Sequence, residues 1–298
     1  MSWTPTDLPD LTGRTAVVTG ANSGIGVHTA RELAAHGATV VLACRNVESG
    51  RAAAAAMTGS TRVEALDLAS QSSVRDFAER WEGPLDLLVN NAGVMTPPQY
   101  RRTDDGFELQ YGTNHLGHFA LTGLLLPALL DAPAPRVVTV SSIAHHGGRP
   151  AVLGGNPESA YRPQQAYSNS KLANLLFARE LQKRASAAAS RLTSTAAHPG
   201  ISATELVQDP NGMGANSLVN RLAPYVMPIL FQSAAAGANL TLYAATAAEP
   251  GSYTGPQRLR ETRGPVGPAR LSRYAQDDEL AFKLWDVSEQ QTGVVFSF

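Results

Sequence analysis

Cysteine and lysine are both scarce in this chain of 298 residues. Cys44 is the only cysteine, so the chain can form no internal disulfide and offers no cysteine cluster for structural zinc. Lysine occurs only at positions 171, 183 and 283, although lysine and arginine together number 24. A chain that meets its need for positive charge almost wholly with arginine has kept lysine at very few places, and each of them needs a reason.

Strong charge and long apolar runs are also lacking. A formal net charge of −1 argues against nucleic acid or an anionic membrane as the main partner. The most apolar stretch, LTGLLLPALL at 121–130, contains a proline and is shorter than the roughly 18 residues that a membrane span needs. The N-terminal sequence MSWTPTDLPDLTGRT has neither the basic start nor the apolar centre of a signal peptide. We therefore expect a cytoplasmic protein.

Several catalytic motifs are missing. The sequence has no Gly-x-Ser-x-Gly elbow and no Gly-Lys-Ser/Thr phosphate loop, which argues against a hydrolase of that type and a P-loop nucleotidase. The histidine pairs His145/His146 and His115/His118 have no carboxylate or cysteine nearby in sequence to complete a ligand set, so we expect no metal site.

Apolar runs alternate with helical patterns along the whole chain. We predict strands at 15–19, 38–43, 63–66, 85–89, 136–140 and 192–196, and helices at 25–36, up to 56, and 165–184. The strands show little polar–apolar alternation, which is typical of a parallel sheet covered on both faces. The predicted fold is a single α/β Rossmann-type domain over residues 1–298, a doubly wound parallel sheet with ligands at the carboxyl ends of its strands. Segments rich in Pro, Gly or Ser are interpreted as loops over a site: 146–157, 208–217 and 250–268.

A glycine-rich turn, Thr-Gly-Ala-Asn-Ser-Gly-Ile-Gly at 19–26, joins the first strand to the first helix. Glycines let the backbone approach a pyrophosphate closely, and the helix N-terminus supplies free N–H groups. The spacing is not that of the G-x-G-x-x-G fingerprint, so an ordinary strand-to-helix turn stays open as an alternative. The candidate cofactor-binding residues here are Gly20, Asn22, Ser23, Gly24, Ile25 and Gly26.

The end of the second strand bears on cofactor choice. About 20 residues after the glycine-rich turn, where an NAD site holds an acid, stands Cys44, followed by Arg45 and Asn46. A guanidinium fork suits a 2′-phosphate, which favours NADP. An arginine that simply faces solvent is the alternative.

Tyr167 and Lys171 lie four residues apart in a predicted helix, hence on one face. A free phenol has a pKa near 10, and a close ammonium would stabilise the phenolate and lower that pKa. Tyr167 is therefore a candidate general acid–base. A core tyrosine beside an outward-pointing lysine is the alternative.

These motifs together resemble the short-chain dehydrogenase/reductase family. TGANSGIG, Asn90-Asn-Ala-Gly93, the Ser141-Ser142 pair, YSNSK at 167–171 and His198-Pro-Gly200 occur in the family's order over nearly the whole chain. ACRN at 43–46, TNHLGHF at 113–119 and LWDVSE at 284–289 further resemble the branch that holds retinol dehydrogenases, the WW-domain-containing oxidoreductase and protochlorophyllide reductases.

The resemblance implies a role for each matching residue. Tyr167 would exchange a proton with the substrate oxygen, Ser142 would hydrogen-bond that oxygen, Lys171 would hold the nicotinamide ribose, and Asn114 would anchor a water in the proton relay. The implied contacts to NADP are Asp67 and Leu68 at the adenine, Asn90, Asn91, Ala92 and Gly93 at the adenosine, and Pro199, Gly200, Ile201 and Thr204 at the nicotinamide. An apolar substrate pocket would be formed by about 143–165 and 205–232.

Some alternatives stay open. Ser142 and Tyr167 are 25 positions apart, about twice the family's usual gap, which leaves Ser141 as a competitor. Reduction of a C=C bond, as in protochlorophyllide reductases, is disfavoured because that group uses an active-site cysteine and Cys44 is placed at the ribose end. A non-catalytic NADPH-sensing protein would usually have a broken set of catalytic residues, whereas this set is intact. The family often forms homodimers through helices that would here span 114–130 and 165–184.

Overall fold

Eight strands form one sheet in the computed structural model, which describes residues 3–200 and 232–298. The strands are β1 (Thr15–Thr19), β2 (Thr39–Cys44), β3 (Thr61–Ala65), β4 (Leu87–Asn90), β5 (Arg136–Val140), β6 (Thr193–Ala197), β7 (Tyr253–Arg258) and β8 (Arg263–Pro268). Their spatial order is β3-β2-β1-β4-β5-β6-β7-β8, and only the β7–β8 pair is antiparallel. The predicted doubly wound parallel sheet and all six predicted strands are confirmed. From β1 the chain adds strands first on one side, to β3, and then on the other side, from β4 onwards, so the order reverses between β1 and β4.

Helices cover both faces of this sheet. They are α1 (Gly24–Ala35), α2 (Val47–Ala55), α3 (Gln71–Glu79), α4 (Leu109–Tyr111), α5 (Gly117–Leu124), α6 (Leu126–Asp131), α7 (Pro163–Ala187), α8 (Ala234–Thr246) and α9 (Asp278–Thr292). Successive strand residues point to opposite faces, so Val17 packs with the core under α3, α5, α7 and α9, whereas Val18 packs with the core under α1 and α8. The apolar strands are buried on both sides, as the lack of alternation predicted.

The segment 250–268 is the main error of the sequence-based fold. We predicted a loop there, but it holds β7 and β8, which form a hairpin at the edge of the sheet. Pro256 and Pro268 stand within these strands, and proline is normally tolerated only at sheet edges or bulges. The register shifts between Pro256 and Arg258, as expected for an irregular edge. The Pro and Gly residues therefore favoured a loop in the sequence-based prediction, although at the edge of the sheet they are compatible with strands.

The region before β5 is not one continuous helix. A π-helical turn, Gly112–Leu116, joins α4 to α5, and α6 follows after a break. A π-turn widens a helix locally and is frequent at functional sites. Asn114 lies at the centre of this turn. The long α7 contains both Tyr167 and Lys171, which confirms the predicted helix.

The C-terminal helix α9 packs on α7, and an aromatic cluster joins the two. The ring of Phe177 lies 5.8 Å from that of Trp285, and Phe119 of α5 lies 5.1 Å from the same indole. All α7 residues from 166 to 178 are buried, as are those of α5 from 117 to 123. These parts of the helices expected to pair in a homodimer are thus buried within the described part of one chain, and the homodimer stays a prediction.

Within residues 3–200 and 232–298, no helix is long and apolar enough to cross a membrane. The cytoplasmic location stays a prediction.

Candidate active site

The predicted site residues that the structure describes collect at one edge of the sheet. Parallel strands end at the same edge, and β1, β2, β4, β5 and β6 are each followed directly by a predicted motif. The glycine-rich turn follows β1, and the Ser141-Ser142 pair follows β5. Motifs more than 100 residues apart in sequence therefore lie near one another at the carboxyl ends of the strands, where the strand order reverses between β1 and β4.

The glycine-rich turn has the shape that a dinucleotide pyrophosphate needs. Gly20 and Gly24 adopt positive φ angles of 64° and 54°, which side chains disfavour. A Cβ at Gly26 would lie 2.4 Å from the carbonyl oxygen of Gly20, so the helix approaches the strand closely. Ser23, the N-cap of α1, does not cap the helix with its side chain. The N–H groups of the first turn thus remain available to an anion, and the turn fits a pyrophosphate.

The segment Asn90–Gly93 is tied to this turn by the hydroxyl of Thr19. The backbone N–H groups of Asn91 and Ala92 both donate to Thr19 Oγ1 at 2.9 Å. The side chain of Asn91 donates to the Thr19 carbonyl at 2.8 Å. Among the described residues, the buried Oδ1 of Asn90 has no hydrogen-bond partner. The segment therefore borders the turn, and its contact with the adenosine stays a prediction.

The end of β2 carries a buried thiol and an exposed guanidinium. Cys44 is buried, and a Cβ at Gly50 would lie 2.5 Å from its sulfur, so the thiol faces α2. Burial raises the pKa of this thiol. Arg45 is exposed and forms no ion pair or hydrogen bond with the described residues, while Asn46 caps α2 by accepting from the N–H of Ser49. Arg45 is therefore the cation that is free to meet a ligand at this end.

Asp67 and Leu68 follow β3 at the same edge. The Asp67 carboxylate accepts from the N–H of Ala69 at 2.9 Å. Leu68 is buried, and its carbonyl packs so closely on α5 that a Cβ at Gly117 would lie 2.4 Å away. The pair borders the strand end where an adenine ring was expected.

Tyr167 and Ser142 face each other. Tyr167, on the first turns of α7, is 9% exposed, and Ser142 is half-buried at the end of β5. Burial raises the pKa of the Tyr167 phenol to about 12, and a hydrogen bond with the side chain of Ser142 opposes that rise. The Ser142 hydroxyl also accepts from the N–H of Ala144 at 3.2 Å, which begins the 3-10 turn Ile143–Gly147.

The adjacent Ser141 faces a different way. Its hydroxyl donates to the backbone carbonyl of Lys171 at 2.8 Å, and the residue is fully buried. The hydroxyl thus joins β5 to α7 and directs its only proton to a protein carbonyl. This geometry favours Ser142 over Ser141 as the serine that could meet a ligand beside Tyr167.

Lys171 lies beneath Tyr167 but does not produce the expected effect on it. Its ammonium is 5.8 Å from the centroid of the Tyr167 ring and donates to the carbonyl of Val140 at 3.2 Å. We predicted a phenol pKa lowered by this charge, whereas burial raises it. Burial also lowers the pKa of Lys171 to about 8, since nothing among the described residues compensates its charge. The prediction was wrong for the protein alone because desolvation exceeds an ammonium at this distance.

Asn114 sits behind Lys171, with every polar atom of its side chain satisfied. Its Oδ1 accepts from the N–H of Val94 at 2.8 Å, and its Nδ2 donates to the Val94 carbonyl at 3.0 Å and to Ser170 Oγ at 2.9 Å. A Cβ at Gly93 would lie 3.1 Å from Asn114 Oδ1 and 3.6 Å from Lys171 Nζ. Asn114, Gly93 and Lys171 are therefore neighbours, as the resemblance implied.

The turn His198–Gly200 packs against the β7–β8 hairpin that the sequence did not reveal. Gly200 has a φ of 67°, and a Cβ there would lie 2.3 Å from the carbonyl oxygen of Thr262. His198 is fully buried, with Nε2 3.3 Å from a carboxylate oxygen of Glu261. The hairpin thus supports Pro199 and Gly200. Ile201, Thr204, the predicted loop 208–217 and all but the last residue of the predicted pocket segment 205–232 lie outside the described residues.

A buried polar network anchors the segment between Ser142 and Tyr167. Asn156 donates to Glu108 at 3.0 Å and accepts from Asn169 of α7 at 2.7 Å. Asn169 also accepts from the N–H of Arg149 at 3.0 Å. Three short 3-10 turns make up this predicted loop, Ile143–Gly147, Pro150–Gly154 and Glu158–Ala160. Sequence reasoning missed the network because polar residues in a loop give no signal of their distant partners.

Comparison with known proteins agrees with this geometry. The short chain dehydrogenase family matches residues 14–213, and the chain belongs to that family. Retinol dehydrogenase 12 of Mus musculus is 40% identical over 292 residues, covering 95% of this chain and 88% of the relative. A crystal structure of an uncharacterized protein from Mycobacterium Paratuberculosis has 47% identity, a TM-score of 0.84 and full coverage of both chains.

A further crystal structure, from Beutenbergia cavernae, is described as an NAD(P) dependent gluconate 5-dehydrogenase with NADP bound at low occupancy. It is 25% identical, has a TM-score of 0.62, and aligns with 82% of this chain and 95% of its own. The chain is thus an oxidoreductase of the retinol dehydrogenase-like branch, and the family binds a nicotinamide cofactor.

Proposed function

We propose that this protein is an NADP(H)-dependent oxidoreductase that interconverts a carbonyl and an alcohol on a small to medium apolar substrate. The observation that carries the proposal is the arrangement of Tyr167, Ser142 and Lys171 at the carboxyl edge of the sheet, beside a turn that fits a pyrophosphate. The named retinol dehydrogenases among its relatives support an apolar alcohol or aldehyde as substrate.

Each residue of the site has a separate role in the proposed reaction. NADPH supplies the hydride when bound, and the protein supplies position and electrostatics. Tyr167 is protonated over the whole physiological range, so it can donate a proton to a carbonyl oxygen that gains negative charge. Ser142 hydrogen-bonds the same oxygen and stabilises the developing charge. Lys171 holds a ribose and brings positive charge beneath the phenol, and Asn114 connects Lys171 to water.

Arg45 supports the choice of NADP. It is exposed, follows β2 directly and is not engaged by the described residues, whereas the nearby Arg51 pairs with Glu48 at 2.5 Å. Cys44 replaces the acid that would hold a ribose 2′-OH and would repel a 2′-phosphate. The bound NADP in the Beutenbergia cavernae structure is consistent with this choice for a member of the family.

The cofactor experiment compares NADPH with NADH in steady-state kinetics, using aliphatic aldehydes, ketones, quinones and retinoids as candidate substrates. One charge-assisted contact contributes about 1.5–3 kcal/mol, so we expect kcat/KM to favour NADPH by roughly ten- to a hundred-fold. Arg45→Gln should remove most of that preference, while Arg51→Gln, the matched control, should retain it. Equal use of both cofactors by the wild type would contradict the role of Arg45.

Reduction of a C=C bond with help from a cysteine is the weaker candidate. Cys44 is the only cysteine, it is buried against α2, and β2 is separated from the Ser142 strand by β1 and β4. Three strand spacings amount to about 14 Å, too far for the thiol to protonate a substrate beside Tyr167.

A further inference from the structure

His118 is a fully buried polar residue that the proposed chemistry does not use. It is the second residue of α5 and is 1% exposed. One ring nitrogen, Nδ1, is 2.9 Å from the backbone carbonyl of Asn114, and the other, Nε2, is 2.8 Å from the hydroxyl of Thr19. The ring therefore touches both the turn that carries Asn114 and the end of β1, where the glycine-rich turn begins.

Hydrogen-bond accounting at Thr19 fixes the protonation of this ring. A hydroxyl has one proton and two lone pairs, and the N–H groups of Asn91 and Ala92 occupy both lone pairs. The hydroxyl can therefore contact His118 only as a donor, which makes Nε2 the acceptor. The Thr19 hydroxyl could also donate to the carbonyl of Val89, but that oxygen is farther away, at 3.3 Å.

The opposite side of the ring leads independently to the same result. The carbonyl of Asn114 can only accept, so Nδ1 must carry the proton. A doubly protonated ring would direct an N–H at a hydroxyl with no lone pair left. Burial lowers the pKa of His118 to about 4, and the charge of Lys171 acts in the same direction.

We propose that His118 is a positioning residue that fixes the cofactor-binding segment and Asn114 relative to each other, by bridging the hydroxyl of Thr19 to the carbonyl of Asn114. Towards the cofactor, the bridge orients the hydroxyl that holds the amides of Asn91 and Ala92. Towards the catalytic residues, the N–H of Nδ1 occupies one lone pair of the Asn114 carbonyl oxygen. The second lone pair is left for a water behind Lys171. This inference rests on the proposed function.

Two substitutions separate the two ends of the bridge. The amide of His118→Asn lies where Nδ1 was, so it can still donate to Asn114 but cannot reach Thr19. The amide of His118→Gln lies where Nε2 was, so it can accept from Thr19 but cannot return to Asn114. His115→Gln is the matched control, because His115 is equally buried three residues earlier and contacts Ser288 of α9 instead of the site.

We expect the two His118 substitutions to change different quantities, one the Kd for NADPH and the other kcat. His118→Asn should raise the Kd for NADPH about tenfold, measured by NADPH fluorescence, and change kcat by less than about threefold. His118→Gln should lower kcat about tenfold and leave the Kd nearly unchanged. His115→Gln should lower Tm without changing either quantity. If both His118 variants change Kd and kcat in parallel, or leave both at wild-type values, His118 is not a positioning residue.

A direct measurement covers the case in which a variant does not fold. Nitrogen NMR of the histidine rings in the wild type at pH 7 should show a neutral His118 with the proton on Nδ1, and a proton on Nε2 would overturn the proposal. A wild type that binds NADPH but reduces no carbonyl would contradict the proposed function alone, because the tautomer and the Kd of His118→Asn would still test the bridge.

Discussion

At the scale of single residues, burial controls the chemistry of Tyr167 and Lys171. Each loses the hydration of its charged form, so the phenol holds its proton more tightly and the ammonium less tightly. The phenol is therefore in its protonated form, which a proton donor needs, although the raised pKa makes it a weaker acid. Of these two groups, Lys171 is the one whose charge state changes nearer to neutral pH.

The pH dependence of the reaction should therefore report on Lys171. The profile of kcat/KM for NADPH reflects the free enzyme, where the pKa of Lys171 is about 8. We expect kcat/KM to be constant near pH 7 and to fall as pH rises through about 8, because the ammonium that holds the ribose loses its proton. A profile that stays flat to pH 10 would mean that this charge is not needed.

Replacement of Lys171 by arginine should fail even though the charge is kept. The ammonium donates to the carbonyl of Val140 and lies near Gly93, and the longer, planar guanidinium of arginine cannot place its donors at the same point. We expect Lys171→Arg to lose at least about tenfold in kcat/KM, whereas Lys183→Arg, at an exposed position of the same helix, should lose nothing. Activity near that of the wild type in Lys171→Arg would contradict the assigned role.

At the scale of elements, the segment between Ser142 and Tyr167 is held by α7 through a few buried amides. Asn169 connects the N–H of Arg149 and the side chain of Asn156 to the helix that carries Tyr167. The rim of the predicted pocket is thus fixed to the same helix as the proposed proton donor.

Asn169→Ala should release this segment. The change leaves buried partners unpaired, which costs about 1–3 kcal/mol in the free energy of unfolding. Urea denaturation and the rate of proteolysis within 143–160 measure the effect, and Gln164→Ala, an exposed position on α7, serves as the control. Unchanged stability and unchanged proteolysis would show that the network does not hold the segment.

Patterns within one element were predictable, and contacts between distant elements were not. The four-residue spacing of Tyr167 and Lys171 needs only one helix, so the sequence alone placed both on one face. The hairpin of β7 and β8 was missed because Pro256 and Pro268 contradict a strand unless the edge position is known. The raised pKa of Tyr167 depends on how deeply the rest of the chain buries it, which no local pattern encodes.

At the scale of the whole molecule, four of the seven histidines are buried without charge. Burial lowers the pKa of His115 and His198 to about 3 and that of His118 and His145 to about 4. In the unfolded chain each would bind a proton below about pH 6.5. The unfolded state thus takes up more protons as pH falls from 6.5 towards 4, so stability falls with it.

Chemical denaturation at several pH values should reveal this loss. Each buried histidine contributes about 1.4 kcal/mol per pH unit in that window, so the free energy of unfolding should fall by several kcal/mol between pH 6.5 and 5. His115→Gln should reduce the slope by about a quarter. A free energy of unfolding that does not change over this range would contradict the buried, uncharged state of these rings.

The central claim is that Tyr167 gives a proton to a carbonyl that receives hydride from NADPH. The most direct test is deuterium transfer from NADPH labelled at both C4 positions to the alcohol product, followed by mass spectrometry in the wild type and in Tyr167→Phe. We expect a deuterated alcohol from the wild type, and at least about a hundred-fold slower transfer in Tyr167→Phe with an unchanged Kd for NADPH. Transfer at the wild-type rate in Tyr167→Phe, or no transfer to any carbonyl by a wild type that binds NADPH, would contradict it.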